Sequence, residues 1–138
     1  MAKTHVTTVI NGEPVEFHIS KPKPHQADAY LRFIPRTEMD IAVVGCGVNV
    51  TLDTNGVCTD ARVVLGAVAP TQVICEASAK ALVGHRLDEP TLAALDAAAG
   101  GACNPITDKR GTIEYRIKVA GVLARRAAAI AFERAAQR

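Results

Sequence analysis

The apolar residues of this chain change their spacing once, near residue 70, and that change limits the folds open to it. Between 40 and 52, Ala42, Val44, Cys46, Val48, Val50 and Leu52 fall on every second position, the period of a strand with one buried face. Gly45, Gly47, Asn49 and Thr51 share the other face, which must meet either solvent or a closely approaching group. Asp53-Thr54-Asn55-Gly56 reads as a turn that returns the chain in a strand over 57–68. A strand over 28–35 and a turn around 37–39 precede them. Beyond residue 70 the spacing becomes helical. Pro70-Thr71 opens a helix expected to run to about Val83 and stop at Gly84. Asp88 caps a second helix, with Glu89 and Pro90 in its first turn, which ends at Gly100-Gly101. A third runs from about Thr112 almost to the end, with Ile113, Ile117, Ala120, Ala124, Ala127 and Ala131 along one side. Strands first and helices after is the order of an α+β fold in two layers.

Side-chain size narrows this further. The 138 residues suffice for one domain with a real core. Aromatics make up only 4% and Trp is absent, while alanines number 24, so the core must be built from small groups packed closely. Such a chain offers no platform of aromatic rings for stacking bases. A net charge of +2 demands neither nucleic acid nor a membrane as partner. No window approaches the roughly 20 apolar residues of a membrane span, and the opening residues contain no apolar stretch of a secretory signal. The expected compartment is the cytoplasm. Cys46, Cys58, Cys75 and Cys103 are separated by 12, 17 and 28 residues, without the chelating pairs that zinc or iron–sulfur sites need.

The first twenty residues carry a signal of their own. Two β-rich runs, 5–10 and 13–19, flank Asn11-Gly12, the strongest short hairpin signal. A two-residue turn sets Ile10 opposite Glu13, Thr8 opposite Val15, and Val6 opposite Phe17. Val6, Ile10, Val15 and Phe17 then share a face expected to be buried, and His5, Thr7, Glu16 and His18 a face expected to be wet. An isolated hairpin is marginal in water, so this one must dock on something. Residues 21–26, with two prolines, two lysines and a histidine, read as a linker. The expected organisation is a hairpin over 1–20, a linker over 21–26 and an α+β domain over 27–138.

Candidate chemistry is sparse. His5 and His18 oppose each other in the hairpin register with Glu16 nearby, and two imidazoles with a carboxylate can hold a divalent metal. Both histidines sit at the fraying end, with no group in view to orient the rings, so the expectation is no metal. His25 and His85 have no obvious partner. Ser20 and Ser78 lie outside any nucleophile elbow, and nothing points to an activated cysteine. Gly45-Cys46-Gly47 lies mid-strand and Gly100-Gly101 ends a helix, so neither cradles phosphate. From Asp108 onward eight Lys/Arg face three Asp/Glu. Arg116, Lys118, Arg125, Arg126 and Arg134 spread around the helix instead of forming one stripe, which disfavours nucleic acid.

Three segments carry a resemblance to a known family. They are 30–44, with Arg36, Asp40, Ile41 and Ala42 in the pattern R-x-x-x-D-I-A; 61–71; and 108–116, with Asp108, Arg110, Gly111, Glu114, Tyr115 and Arg116 in D-x-R-G-x-x-E-Y-R. Together they resemble the C-terminal domain of the FAD-binding medium subunit of molybdenum hydroxylases, the carbon monoxide and xanthine dehydrogenase family, from about Ala27 nearly to the end. The resemblance implies a small antiparallel sheet covered by three helices. It also implies a basic residue, usually Lys, near the flavin at the position of Arg32. The glycine-rich loops that hold FAD in the family belong to other domains and do not occur in this sequence. The resemblance therefore implies no tight FAD binding by this chain alone, and FAD only together with partner chains. Residues 4–17 resemble the opening strands of the same enzymes' iron–sulfur small subunit, without its cluster cysteines. The expected function is a module that is not catalytic by itself and acts by self-association through the hairpin or sheet, or by binding iron–sulfur or molybdenum subunits. The alternatives are a part of an FAD and molybdenum oxidoreductase that contributes to a shared FAD site, and a basic-helix nucleic-acid binder.

Overall fold

Among the described residues, two separate sheets and three helices follow in chain order. The computed structural model describes residues 3–36 and 41–138. Strands β1 (Lys3–Ile10) and β2 (Glu13–Ser20) form a two-stranded antiparallel hairpin. Strands β3 (Gln26–Phe33), β4 (Val44–Leu52), β5 (Cys58–Gly66) and β6 (Val73–Ile74) form a four-stranded antiparallel sheet in sequential order. Helices α1 (Glu76–Leu82), α2 (Glu89–Gly101) and α3 (Ile113–Ala136) follow. The α+β class and the N-terminal hairpin agree with the sequence reading. The turn expected around 37–39, and Asp40, lie outside the described residues.

The hairpin register is the one the turn imposes: Ile10 opposite Glu13, Thr8 opposite Val15, Val6 opposite Phe17 and His5 opposite His18. Asn11 and Gly12 both adopt positive φ, 53° and 85°, as the tight turn between twisted strands requires. Burial is where expectation fails. Val6 is 37% exposed, Ile10 49% and Phe17 43%, so none of the described residues covers the apolar face. The linker is also more ordered than its composition suggests. The Lys23 N–H donates to Gln26 Oε1 at 2.8 Å and the Gln26 N–H to Lys23 O at 3.2 Å, which closes a turn that ends as β3 begins.

The helix expected from Pro70 begins six residues later. Val73 and Ile74 instead pair with Leu65 and Val64 as β6, because β-branched residues suit a sheet edge better than a first helical turn. The Cys75 N–H donates to Val63 O at 2.8 Å, and α1 starts at Glu76. The other two helices start where expected, α2 on its expected cap Asp88 and α3 on a Thr112 cap. Asp88 Oδ1 accepts from the Thr91 N–H at 2.9 Å and Thr112 Oγ1 from the Tyr115 N–H at 3.2 Å.

The core lies between β4 and β5 on one side and α3 and α1 on the other, while α2 packs against both helices. Val44, Cys46, Val48, Val50, Val63 and Leu65 are at most 1% exposed, as are Ala120, Ala124, Ala127, Ala128, Ala131 and Ala135 of α3. Small side chains let α3 approach the sheet closely, so this contact has no slack. Gly121 meets α2 in the same way: a Cβ there would collide with the Asp96 carboxylate. On the outer face of the sheet the Tyr30 ring lies over Gly45 and Gly47, its Oη 2.6 Å from where a Gly45 Cβ would stand. That ring is the closely approaching group that the two mid-strand glycines require.

One buried cation joins these parts. Arg116, 4% exposed, donates through Nη1 to Val43 O at 2.8 Å and Ala67 O at 3.4 Å, and through Nη2 to Asp108 Oδ1 at 2.7 Å. The start of β4, the end of β5 and the entry to α3 are thus held by a single guanidinium. Asp108 Oδ1 also accepts from the Arg110 N–H at 2.8 Å. That backbone bond first, and the Arg116 guanidinium second, hold the Asp108 carboxyl below its ordinary value.

Two outcomes follow for stability, both measurable by urea denaturation. Ala127→Leu forces extra volume between α3 and the sheet and lowers stability by about 1–3 kcal/mol. Arg116→Ala strands the Asp108 carboxylate and two carbonyls and lowers it by about 3 kcal/mol or more. Because the Asp108 pKa is depressed on folding, its contribution is present above the unfolded carboxylate pKa, near 4, and is lost as pH falls below it. Asp108→Asn therefore makes the loss of stability below about pH 4 shallower. Asp53, Asp88 and Glu114, shifted the same way, keep part of the slope.

Candidate functional site

Strand β3 is an edge of the four-stranded sheet, and Arg134 of α3 and Arg138 just beyond that helix cover half of the edge. Arg134 Nη1 donates to Asp28 O at 2.8 Å and Arg138 Nη1 to Gln26 O at 3.1 Å. In an antiparallel ladder alternate residues turn their backbone groups the same way, so Tyr30 and Arg32 present theirs to the open half. Arg32 itself is exposed and stands opposite Gly45 in register. Beside it an open groove of about 480 Å³ is lined by Leu31, Phe33, Leu123 and Ile130 together with Arg32 and Arg126. Among the described residues neither cation has a hydrogen bond or ion pair. Arg126, Ile130 and Arg134 recur every fourth residue, and that spacing was the signal for the stripe of α3 that lies along β3. Read as cations alone, the same residues looked scattered.

The groove does not by itself fit a flavin dinucleotide. It is open, whereas such ligands are largely enclosed by their sites. Among the described residues, no glycine-rich loop or free helix N-terminus nearby supplies the clustered backbone donors that a pyrophosphate needs. Gly45 and Gly47 lie under Tyr30, and α1, α2 and α3 each carry a glutamate in the first turn, Glu76, Glu89 and Glu114.

The hairpin gathers the second set of candidates. The His5 and His18 rings stack with centroids 5.1 Å apart and planes 13° apart. His5 Nε2 lies 3.2 Å from Glu16 Oε2. His25 and His85 act through their backbones instead: their carbonyls accept from the Leu52 and Cys58 N–H groups, each at 2.9 Å.

Burial keeps three of the thiols protonated. It pushes Cys46 up to about 12, and Cys58 and Cys103 to about 11, so none of these three is poised as a nucleophile. Cys75 Sγ and Ser78 Oγ hydrogen-bond each other at 2.9 Å. Several cations of α3 have partners within the chain. Besides Arg116 and Arg134, Arg125 pairs with Glu89 at 2.7 Å.

Comparison with known proteins places this arrangement. A family model described as the CO dehydrogenase flavoprotein C-terminal domain matches residues 29–131. The carbon monoxide dehydrogenase medium chain of Afipia carboxidovorans is 41% identical over 88 residues, 64% of this chain and 30% of that protein. The xanthine dehydrogenase FAD-binding subunit of Escherichia coli O157:H7 is 30% identical over 104 residues, 75% of this chain and 35% of that one. Among solved structures, carbon monoxide dehydrogenase from Hydrogenophaga pseudoflava superposes with a TM-score of 0.80 at 29% identity, covering 92% of this chain and 44% of that one. Reconstituted CO dehydrogenase from Oligotropha carboxidovorans gives 0.79 at 35% identity, covering 86% and 41%. The chain thus spans less than half the length of each of these relatives. With the match running from β3 through most of α3, it belongs to the CO dehydrogenase flavoprotein C-terminal domain family.

Proposed function

We infer that this chain is a non-catalytic assembly module of that family, and that its hairpin is the assembling device. One observation carries the reading: the hairpin has a regular register but leaves Val6, Ile10, Phe17 and Ile19 between 37% and 55% exposed. An apolar face of that kind is stable in water only when something covers it. The occupant that fits is a second copy exchanging hairpins across the short segment 21–26. Its β3 edge offers unpaired backbone at Tyr30 and Arg32 and an apolar groove with two cations, while the hairpin brings an apolar face and, on that same face, the Glu13 carboxylate. A partner subunit of a larger oxidoreductase could take the place of the second copy.

A second reading rests on the exposed, unpaired Arg32 guanidinium beside the groove. It contributes to an FAD site that partner chains complete, as the name of the xanthine dehydrogenase relative suggests. Arg32→Ala then lowers the flavin content of a complex reconstituted with partner subunits, and Arg32→Lys restores it. Unchanged flavin in both variants removes this reading.

Sedimentation equilibrium tests the first. The full chain is expected as a dimer, and both deletion of residues 1–20 and Phe17→Asp are expected to give monomers. An unchanged mass for both variants rejects hairpin-mediated assembly. The four-stranded sheet and its helices do not draw on the hairpin for their core, so both variants retain the domain.

A further inference from the structure

The wet face of the hairpin holds a constellation that assembly does not use. His5, Glu16 and His18 each offer one ligand atom, and these atoms all lie within 4.8 Å of one another. Backbone geometry explains why they converge. A two-residue turn makes Ile10 and Glu13 a hydrogen-bonded pair, so pairs alternate outward from it. Val9–Pro14, Thr7–Glu16 and His5–His18 are then the pairs without ladder bonds. Pro14, which has no N–H to give, fits this phase. In such pairs the side chains stand closest together. The two imidazoles therefore face each other across the narrowest part of the ladder, with Glu16 two residues from His18 on the same face.

We propose that His5, Glu16 and His18 form a site for a divalent transition-metal ion, of the zinc or cobalt class, on the solvent face of the hairpin. Two neutral imidazole nitrogens and one carboxylate oxygen are the donors such ions prefer over magnesium or calcium. A tetrahedral ion with metal–ligand distances of about 2.0–2.2 Å holds neighbouring donors about 3.4 Å apart. The His5–Glu16 pair, at 3.2 Å, already has that spacing, and the remaining closure is on the order of 1 Å for exposed side chains. The fourth position opens to water. The fraying end of the hairpin, which argues against a metal from sequence alone, is the place where a cross-strand ligand set has most to hold. A bound ion clips β1 to β2 there and leaves the apolar face on the opposite side untouched. The site therefore stands whether or not the hairpin assembles with a partner.

Calorimetric titration of the untagged full chain with Zn2+ tests this, with Co2+ as an optical probe. The expected result is one ion per chain, a Co2+ spectrum without thiolate charge transfer, and at least about a tenfold loss of affinity in His5→Gln and in His18→Gln. A doubly substituted control, His25→Gln with His85→Gln, binds like the unsubstituted chain. Amide protection of 3–20 rises on adding Zn2+, a readout separate from affinity. The proposal is overturned by no binding at millimolar Zn2+, by binding that survives both His5→Gln and His18→Gln, or by a thiolate signature in the Co2+ spectrum.

Discussion

The Arg116 guanidinium fixes where α3 enters the domain, and much of the molecule follows from that entry point. It bonds at once to Val43 O at the start of β4, to Ala67 O beyond the end of β5, and to Asp108 at the turn before α3. A buried charge is costly unless donors find acceptors; Arg116 Nε has none among the described residues, so the guanidinium depends on these three, which come together in one arrangement of sheet and helix. With α3 set at that end, its row of alanines lies against β3 and β4. Its far end carries Arg134 and Arg138 to the β3 edge. The same helix therefore closes the core, covers half of an exposed strand edge and leaves the other half bare beside Arg32 and Arg126.

How much of this was legible in the sequence depends on how local each signal was. The hairpin register could be read in full because Asn11-Gly12 fixes a turn type, and the turn type fixes the pairing. The Asp88 cap and the start of α3 near Thr112 were equally local. The start of α1 was misplaced because Pro70-Thr71 looks like a helix opening, while the pairing of Val73 and Ile74 with β5 is a tertiary event that outweighs it. The burial of the hairpin face was misjudged for a related reason: alternation says which residues share a face, and not what covers it. Arg32 was singled out through the family resemblance alone. Arg126 was read only as one of several scattered cations because the strand it lies along is nearly a hundred residues away in sequence.

Membership of the flavoprotein C-terminal domain family explains the fold without supplying a function by itself. The dehydrogenase relatives named above are more than twice as long as this chain, and the domain alone encloses no cavity suited to FAD among its described residues. What sets this chain apart from a bare domain is the hairpin, whose two faces present different chemistry, one apolar and one carrying two imidazoles and a carboxylate. Assembly through the first and metal binding on the second involve separate surfaces, so either can be correct without the other.

The central claim is that the domain assembles and does not hold flavin by itself. A native mass spectrum of the purified full chain, recorded with and without added FAD, tests it most directly. The account predicts a dimer mass in both samples and no flavin adduct in either. A monomer carrying one FAD per chain would contradict it and move the argument to a cofactor site around Arg32.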